Sequence, residues 1–402
     1  METKEFRNVI SIEEAEKRLY TYFKPSPKVE EVALEEALGR ILGEDVVASL
    51  DVPPFDRASM DGYAVIASDT FYASEDKPVE LELSGVIQAG ESKEIVIKKG
   101  ECIRIATGAP IPHGTDAVVM VEYTNSSGDG VKVYSPVSPG EHIMRAGADI
   151  KQGTKVLEKG TVLSPRETGV LAALGINNVR VFKKPRVGII STGSELVEPG
   201  KPLPSGKIYD VNARAISDAV RVNGCIAEFL DIARDEKTLT RTIKESNYDV
   251  IITTGGTSVG AEDITYKVVE KLGRLIAHGL AVKPGKPTML GIIDGRPLVG
   301  LPGYPTSALI IFSILVAPML RKMAGLPNKE PKKASAKLAS RVYSAKGRFE
   351  YLPVKLDGEK VHPILKGSGA ITSLAGAHGY VEIPRNVEIL EEGSKVEVIL
   401  FT

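Results

Sequence analysis

Between residues 184 and 324, short apolar runs alternate with segments of helical periodicity, and this alternation constrains the fold more than any other feature of the sequence. The predicted strands are 186–191, 226–231, 249–254, 275–282, 288–292 and 297–300, and the predicted helices are 211–223, 238–246, 264–272 and 306–324. Alternation at this spacing predicts a parallel sheet covered by helices. Ligands of such sheets bind beyond the carboxyl ends of the strands, so the loops there are the first place to look for a site.

One strand–helix connection, residues 249–263, is rich in glycine and hydroxyl residues. Glycines at a turn that opens a helix leave backbone N–H groups free for a closely approaching ligand, and the helix dipole adds positive potential. Asp263, at the end of this segment, is placed to hold a metal ion or a sugar hydroxyl. The segment therefore suits a phosphate or another oxyanion, although glycines that only form a tight turn would produce the same pattern.

Three further segments follow predicted strands of the same sheet. Residues 191–196 (STGSEL) place Glu195 at a strand tip, and residues 300–308 (GLPGYPTSA) open a helix. Residues 282–288 (VKPGKPT) bring Lys283 and Lys286 close together, and such like charges repel unless an anion lies between them. Each segment alone fits an ordinary turn. Together, anion donors and carboxylates suited to Mg²⁺ indicate phosphoryl or nucleotidyl chemistry.

The flanking regions indicate further domains, because short strands and turn residues replace the strand–helix pattern there. We predict a small α/β N-terminal domain from residues 1–44 and 148–183, interrupted by an all-β insertion at 45–147. The central α/β domain occupies 184–327, and a small C-terminal β domain occupies 328–402. Within the insertion, residues 51–65 and 104–112 concentrate polar groups, including Asp61 and Thr107, but either segment alone is typical of a turn-rich linker.

Composition narrows the classes of protein to consider. The chain has 51 basic and 52 acidic residues, which argues against nucleic-acid binding through bulk charge. Its two cysteines, Cys102 and Cys225, lie in unrelated segments, so a disulfide framework and a zinc site are not expected. We see no signal-peptide pattern and no run of about twenty apolar residues, so we expect a cytoplasmic protein with no membrane partner.

Six segments in one order resemble the MoeA family of molybdopterin molybdenumtransferases, and the resemblance covers essentially the whole chain. They are PPFDRASMDGYAV (53–65), RIATGAPIP (104–112), STGSEL (191–196), TTGGTSVGAED (253–263), KPGKP (283–287) and GLPGYPTSA (300–308). The resemblance implies a multidomain α/β fold: a MogA-like parallel-sheet domain, an inserted all-β domain, a small N-terminal α/β domain and a barrel-like C-terminal β domain.

The resemblance also implies an activity in molybdenum cofactor biosynthesis. The family inserts molybdate or tungstate into adenylylated molybdopterin and releases AMP with the help of Mg²⁺. It implies an elongated homodimer with its active site in a cleft between subunits. An adenylyltransferase like MogA or MoaB is a candidate partner.

The site residues implied by the resemblance fall into three groups. Those with catalytic roles are Asp61, Glu195, Asp235, Asp263, Lys283 and Lys286. Those that contact substrate are Thr107, Asp149, Thr254, Gly255, Gly256, Ser258, Gly260, Pro302, Gly303, Ser307 and Arg348. Asp235 and Asp263 are the expected Mg²⁺ ligands. The chain departs from the family at Gly279, where many members carry Lys or Arg, and at Tyr304, where Asn is common.

Three other functions compete with this interpretation. The central domain also resembles MogA-like molybdopterin adenylyltransferases, but those are single-domain proteins. A non-catalytic scaffold, as in gephyrin, would not need Asp61, Lys283 and Lys286 together. CinA-like nucleotide-processing proteins share the GGT turn but lack the DGYAV segment (61–65).

Overall fold

A computed structural model describes residues 9–91, 95–256, 264–327, 329–344, 346–367 and 369–401. The chain divides into two compact units. The large unit comprises residues 1–30 and 182–402, and the small unit comprises residues 31–181. The finer four-domain division stays a prediction.

The chain begins in the large unit with helix α1 (Ile12–Tyr22). Ser11 caps this helix, since its hydroxyl accepts a hydrogen bond from the Glu14 N–H at 3.2 Å. Leu19 of α1 is buried in the same apolar cluster as Phe312, so α1 packs on the core of the large unit.

The small unit consists mainly of β-strands. Its strands are β1 (Val29–Ala33), β2 (Val46–Val47), β3 (Arg57–Ala58), β4 (Gly62–Val65), β5 (Val79–Ile87), β6 (Glu101–Ile105), β7 (Ala117–Met120), β8 (Thr124–Ser127), β9 (Gly130–Val133), β10 (Ile143–Met144), β11 (Lys155–Leu157) and β12 (Asn178–Phe182); its helices are α2 (Ala67–Thr70) and α3 (Pro165–Ala173). Six strands form one sheet in the order β7-β4-β6-β5-β9-β8. Tyr63, Val65 and Val119 are buried together in one apolar cluster, and Ala64 is buried in another, so strand β4 is covered on both faces.

The glycine of the DGYAV segment is required by strand packing. Gly62 pairs with Met120, and a Cβ atom added at Gly62 would lie 1.9 Å from the carbonyl oxygen of Val119. We expect Gly62→Ala to lower the free energy of unfolding by about 1–3 kcal/mol or more, because the neighbouring backbone has to move. The matched control is Gly169→Ala in α3, where an added Cβ meets nothing within 4 Å. That change should stabilise by roughly 0.5–1 kcal/mol. Urea denaturation of both variants checks this, and equal midpoints would contradict it.

The large unit continues with an α/β segment and then a β segment. The elements of the α/β segment are β13 (Arg186–Thr192), β14 (Leu196–Val197), β15 (Ile208–Tyr209), α4 (Val211–Val222), β16 (Ile226–Ala233), α5 (Glu236–Glu245), β17 (Val250–Thr254), α6 (Ile264–Leu272), β18 (Arg274–His278), β19 (Val282–Lys283), β20 (Met289–Ile293), β21 (Arg296–Leu301), α7 (Pro305–Ile311) and α8 (Ala317–Met323). Its main sheet has the order β16-β13-β17-β21-β20-β18. The predicted parallel orientation is confirmed for β16, β13, β17 and β21.

Strand β20 is the exception, since it runs antiparallel to β21 and β18. Asp294 and Gly295 join β20 to β21 with φ angles of 50° and 75°. Positive φ at both central residues is the type I′ geometry that closes a two-residue hairpin. Because β20 runs backwards, its first residue, Met289, pairs with Gly300 near the carboxyl end of β21. The loop that precedes β20, residues 282–288 with Lys283 and Lys286 (the lysine loop), therefore reaches the same sheet edge as the loops that follow the parallel strands.

Helices α7 and α8 are joined by a π-helical turn, Phe312–Val316, into one apolar helix. Its length and composition would allow it to cross a membrane, yet 67% of its apolar window is buried inside the protein. Phe312, Leu315 and Met319 lie in the largest apolar cluster. This is the packing of a core helix, and it lies where the sequence predicts a helix at 306–324.

The C-terminal part of the large unit is a small barrel. Its elements are β22 (Lys333–Leu338), β23 (Val342–Tyr343), β24 (Phe349–Asp357), β25 (Lys360–Pro363), α9 (Thr372–Ala375), β26 (Gly379–Ile383), β27 (Ile389–Leu390) and β28 (Lys395–Leu400). The strands pair in the order β24-β25-β22-β28-β26, and β26 pairs back with β24 to close the barrel. Strand β19 adds to β24 in parallel, so the lysine loop is attached to the barrel through Lys283 and Glu350.

Candidate active site

A cavity of about 1170 Å³ lies at the carboxyl edge of the main sheet in the large unit. Thr192 at the end of β13, Gly255 after β17 and Gly303 after β21 all line it. The wall also contains the lysine loop and part of the barrel, including Glu350. The cavity therefore forms where the sheet topology brings strand ends together, which is the expected place for a ligand.

The glycine turn after β17 forms one wall of this cavity. Thr254 is buried, with its hydroxyl 3.1 Å from that of Ser191, so it fixes the strand end. Gly255 and Gly256 follow and line the cavity. A Cβ added at Gly255 would lie 2.6 Å from the Thr192 carbonyl oxygen, so the close approach of these two loops requires glycine. The predicted contacts at Ser258 and Gly260 fall outside the described residues.

The cationic wall is formed by Lys283, Lys286 and Arg348, which all line the cavity. The Lys283 ammonium is paired with a carboxylate oxygen of Glu350 at 2.9 Å. The loop backbone between the two lysines is held by the Thr288 hydroxyl, which donates to the Gly285 carbonyl at 2.7 Å. The predicted lysine pair therefore lies on a backbone with fixed internal bonds, and both side chains reach one cavity.

The loop before α7 forms a third wall. Pro302, Gly303 and Ser307 line the cavity, and Ser307 is buried in the first turn of the helix. The Asn212 side chain donates a hydrogen bond to the Gly303 carbonyl at 2.8 Å, which ties this loop to the start of α4. Backbone N–H groups in the first turn of a helix have no partner within the helix, so they are available to an anion.

Among the described residues, three acidic ones line the cavity: Glu195, Asp210 and Glu350. Glu195 is exposed on the wall, as predicted. Asp210 is only 2% exposed and caps α4, with its Oδ1 accepting from the Ala213 N–H at 3.0 Å. Its Oδ2 has no hydrogen-bond partner among the described residues. In the sequence, Asp210 stands near a strand end, where an N-cap and a solvated side chain are both expected; the structure shows the cap and places Asp210 on the cavity wall.

Asp235 is not among the residues that line the cavity. It caps α5, where its Oδ1 accepts from the Thr238 N–H at 2.7 Å, and this backbone bond is the main reason that its pKa is lowered. Asp263, the other expected Mg²⁺ ligand, falls outside the described residues. Within the described ranges there is no cluster of three or more His, Cys, Asp or Glu side chains suited to a metal ion.

The small unit holds the remaining predicted residues. Asp61 Oδ1 accepts hydrogen bonds from the backbone N–H and the hydroxyl of Thr107, at 2.6 and 2.7 Å. The backbone bond, followed by the hydroxyl, lowers the pKa of Asp61. The structure thus joins two residues that stand 46 positions apart in the sequence. Asp149 is exposed, and its N–H donates to the Val52 carbonyl, beside the segment that carries Asp61.

Several residues of the cavity wall are not predicted from the sequence, above all Glu350, Asn212 and the barrel loop that includes Leu365 and Gly369. Glu350 is buried in a strand, where nothing in the local pattern separates a functional acid from a structural one. For Asn212, the only local sequence signal of a place in the cavity wall is its position two residues after the Asp210 helix cap. The barrel loop becomes part of the site only because β19 joins β24.

Three family models match successive parts of the chain. They are "MoeA N-terminal region (domain I and II)" at residues 10–175, "Probable molybdopterin binding domain" at 188–322 and "MoeA C-terminal region (domain IV)" at 335–401. Together they cover most of the chain in the order that the family requires.

Curated relatives agree with these matches along nearly the whole length. Molybdopterin molybdenumtransferase 2 of Mycobacterium tuberculosis is 37% identical, over 91% of this chain and 94% of the relative. Molybdopterin molybdenumtransferase of Bacillus subtilis is 34% identical, over 98% of this chain and 95% of the relative.

Solved structures share the fold. One is the crystal structure of a molybdopterin biosynthesis MoeA protein from Pyrococcus horikosii. That protein is 45% identical in sequence, the TM-score is 0.86, and the match covers 98% of this chain and 100% of that one. A second MoeA protein, from Pyrococcus horikoshii OT3, is 34% identical with a TM-score of 0.74 over 98% of this chain and all of that one. The chain belongs to the MoeA family.

Proposed function

We propose that this protein is a molybdopterin molybdenumtransferase that inserts molybdate or tungstate into adenylylated molybdopterin and releases AMP. The observation that carries the proposal is the cavity at the sheet edge, which Lys283 and Lys286 line together with the glycine turn and the start of α7. A substrate with a phosphoanhydride and a tetrahedral dianion requires several anion donors in one place. Family membership and the names of the relatives support the same reaction.

Each wall of the cavity has a part in the proposed reaction. Lys283, Lys286 and Arg348 supply positive charge to the oxyanion and to the phosphoanhydride as its bond breaks. Donors in the first turn of α7, around Ser307, add neutral hydrogen bonds. Gly255 and Gly256 admit the pterin phosphate close to the backbone. The carboxylate of Glu195 is assigned to orienting the substrate. Asp61 lies in the small unit, and its catalytic role in the proposal rests on the family resemblance.

Magnesium is part of the proposal as a requirement of the reaction. The described residues do not assemble a complete site for it, since Asp235 uses Oδ1 as a helix cap and Asp263 lies outside the described ranges. We therefore assign no step to the metal. When bound, Mg²⁺ would neutralise charge on the phosphoanhydride oxygens.

A magnesium-binding role of Asp235 can be tested separately from its role as a helix cap. Asparagine caps helices about as well as aspartate, so Asp235→Asn should keep the thermal midpoint of the protein. If Asp235 is a magnesium ligand, the Mg²⁺ concentration that gives half-maximal AMP release should rise by about ten-fold or more in this variant. Asp218→Asn is the control with the same charge change, because the Asp218 side chain is 47% exposed on α4 and does not line the cavity. An unchanged Mg²⁺ dependence would remove Asp235 from the metal site.

The proposal also includes a cytoplasmic homodimer that binds neither nucleic acid nor a membrane. An adenylyltransferase like MogA or MoaB is proposed to supply its substrate. Sedimentation equilibrium tests the dimer, and a monomeric mass would exclude it.

AMP release from adenylylated molybdopterin tests the reaction. With Mg²⁺ present, release should depend on added molybdate or tungstate, and the more effective oxyanion identifies the metal. ATP consumption with free molybdopterin and no oxyanion-dependent release would instead indicate a MogA-like adenylyltransferase. If the protein shows neither activity, the result favours a non-catalytic scaffold.

A further inference from the structure

The Lys283 ammonium and the Glu350 carboxylate form an ion pair on the wall of the cavity. Their atoms are 2.9 Å apart, and the two residues also face each other in register where β19 pairs with β24. Both residues line the cavity. The contact therefore joins a residue expected to bind an anion to an acidic residue that no sequence motif marks.

The two partners differ strongly in exposure. The Glu350 side chain is 7% exposed, whereas that of Lys283 is 45% exposed. The other carboxylate oxygen of Glu350 accepts a hydrogen bond from the Ser344 hydroxyl at 2.7 Å. Glu350 is thus held at both oxygens, while Lys283 keeps part of its surface open. An ammonium has three donors, so one bond to Glu350 leaves others for a ligand.

The backbone around Lys283 is also held in place. The Leu280 N–H donates to the Lys286 carbonyl at 2.9 Å, and the Phe349 N–H donates to the Ala281 carbonyl at 3.1 Å. These bonds fix where the Lys283 side chain starts but not where its four-carbon stem points. The Glu350 carboxylate is the described group that fixes the ammonium end.

A buried carboxylate next to an anion site weakens anion binding, so its presence calls for a separate physical reason. Its charge opposes the field of Lys286 and Arg348, which line the same cavity. Apolar residues often replace buried ion pairs without loss of stability, so stability alone is a weak reason for Glu350. Orientation of a flexible cation is a better one, because outer partners hold ligating groups in productive geometry.

We propose that Glu350 is a positioning residue that orients the Lys283 ammonium toward the anionic ligand in the cavity. This inference rests on the proposed function for its kinetic consequence, although the contact itself can be tested separately. Glu350 acts through Lys283 and does not touch the ligand. Its removal should therefore matter only while Lys283 is present.

A double-mutant cycle tests this dependence in the full-length protein. Glu350→Gln keeps an acceptor and a donor for Ser344 but removes the charge. It should lower kcat/KM for the oxyanion by about ten-fold. In the Lys283→Met background the same change should cost less than about two-fold, since groups that act through one another are not additive. An equal loss in both backgrounds, or no loss in the parent, would overturn the proposal.

A second measurement does not depend on activity. Brief labelling with an amine-reactive reagent, followed by peptide mass spectrometry, reports how well the Lys283 ammonium is held. Glu350→Gln should speed labelling of Lys283 by about two- to five-fold, the factor expected for a half-exposed ion pair, and should leave Lys337 unchanged. Unchanged Lys283 labelling would overturn the proposal even if the protein lacked the proposed activity.

Two variants separate positioning from folding. Glu397→Gln breaks a comparable 2.8 Å ion pair with Lys333 in the same barrel, where both side chains are exposed, and it should leave kinetics unchanged. Glu350→Asp keeps the charge and should recover part of the loss caused by Glu350→Gln. If Glu350→Asp is no better than Glu350→Gln at an equal thermal midpoint, charge-based positioning is excluded.

Discussion

Replacing Lys283 and Lys286 together by methionine should lower oxyanion-dependent AMP release on the order of 10³-fold, because removing even one preorganised donor from a developing negative charge costs about 10²–10³-fold. Both side chains line the cavity beside the first turn of α7. Methionine keeps a flexible, unbranched side chain of similar length but lacks the ammonium group, so it removes both the charge and the three N–H donors. The measurement is the initial rate of AMP formation with saturating adenylylated molybdopterin and varied molybdate.

The matched control removes two lysines from the barrel. Lys337 and Lys355 are exposed on strands β22 and β24 and are not part of the cavity wall. Their double replacement by methionine changes the net charge equally and should leave the rate within about two-fold. Since Lys283→Met leaves the buried Glu350 carboxylate without its partner, the thermal midpoint of each variant has to be recorded as well. Equal rates of AMP formation in the two double variants would show that the lysine loop is not part of the active site.

Asp61→Asn should lower the same activity by about 10²–10⁴-fold with little change in stability. The asparagine oxygen can still accept the hydrogen bonds that Thr107 donates to Asp61, so the local fold should survive. What is lost is the negative charge. The control is Asp56→Asn in the same segment, because the Asp56 carboxylate binds Arg145 and the Ala146 N–H. Asp56→Asn should lower the thermal midpoint more than it lowers the rate of AMP release.

The pKa of Asp61 fixes the sign of the pH dependence. The hydrogen bonds from Thr107 lower this pKa below its ordinary value of 3.8. A lowered pKa means that the ionised form, and any activity that depends on it, persists above 3.8 and is lost as pH falls through the lowered value. Asp61 should therefore add no inflection to the rate profile between about pH 5 and 8. A loss of activity between pH 5 and 8 that disappears in Asp61→Asn would contradict this assignment.

The sequence predicts the fold well where one local pattern dominates. The apolar helix that begins at Pro305 and the strands β13, β16, β17 and β21 follow from periodicity and spacing. The direction of β20 does not, because general strand–helix alternation favours a parallel sheet. Its local signal is the Asp294–Gly295 pair, a known hairpin turn sequence. The orientation of β20 thus depends on these two turn residues, which override the regional strand–helix pattern.

The candidate site is harder to predict because its parts come from distant segments. Lys283 and Lys286 are visible as a stiff basic loop, and Gly255 as a glycine turn. The bond between Asp61 and Thr107 is not visible, since it depends on how two loops of the small unit meet. Glu350 is even less visible, because a buried glutamate in a strand gives no local pattern. Tertiary pairing of β19 with β24 is what brings it to the cavity.

The most direct test measures two products in one sample. Parent protein, adenylylated molybdopterin, Mg²⁺ and molybdate are mixed, and AMP is quantified together with pterin-bound molybdenum. We expect one metal-loaded pterin for each AMP released, and neither product when the oxyanion is omitted. AMP released without incorporation of metal would contradict a molybdenumtransferase and would identify the reaction as simple hydrolysis.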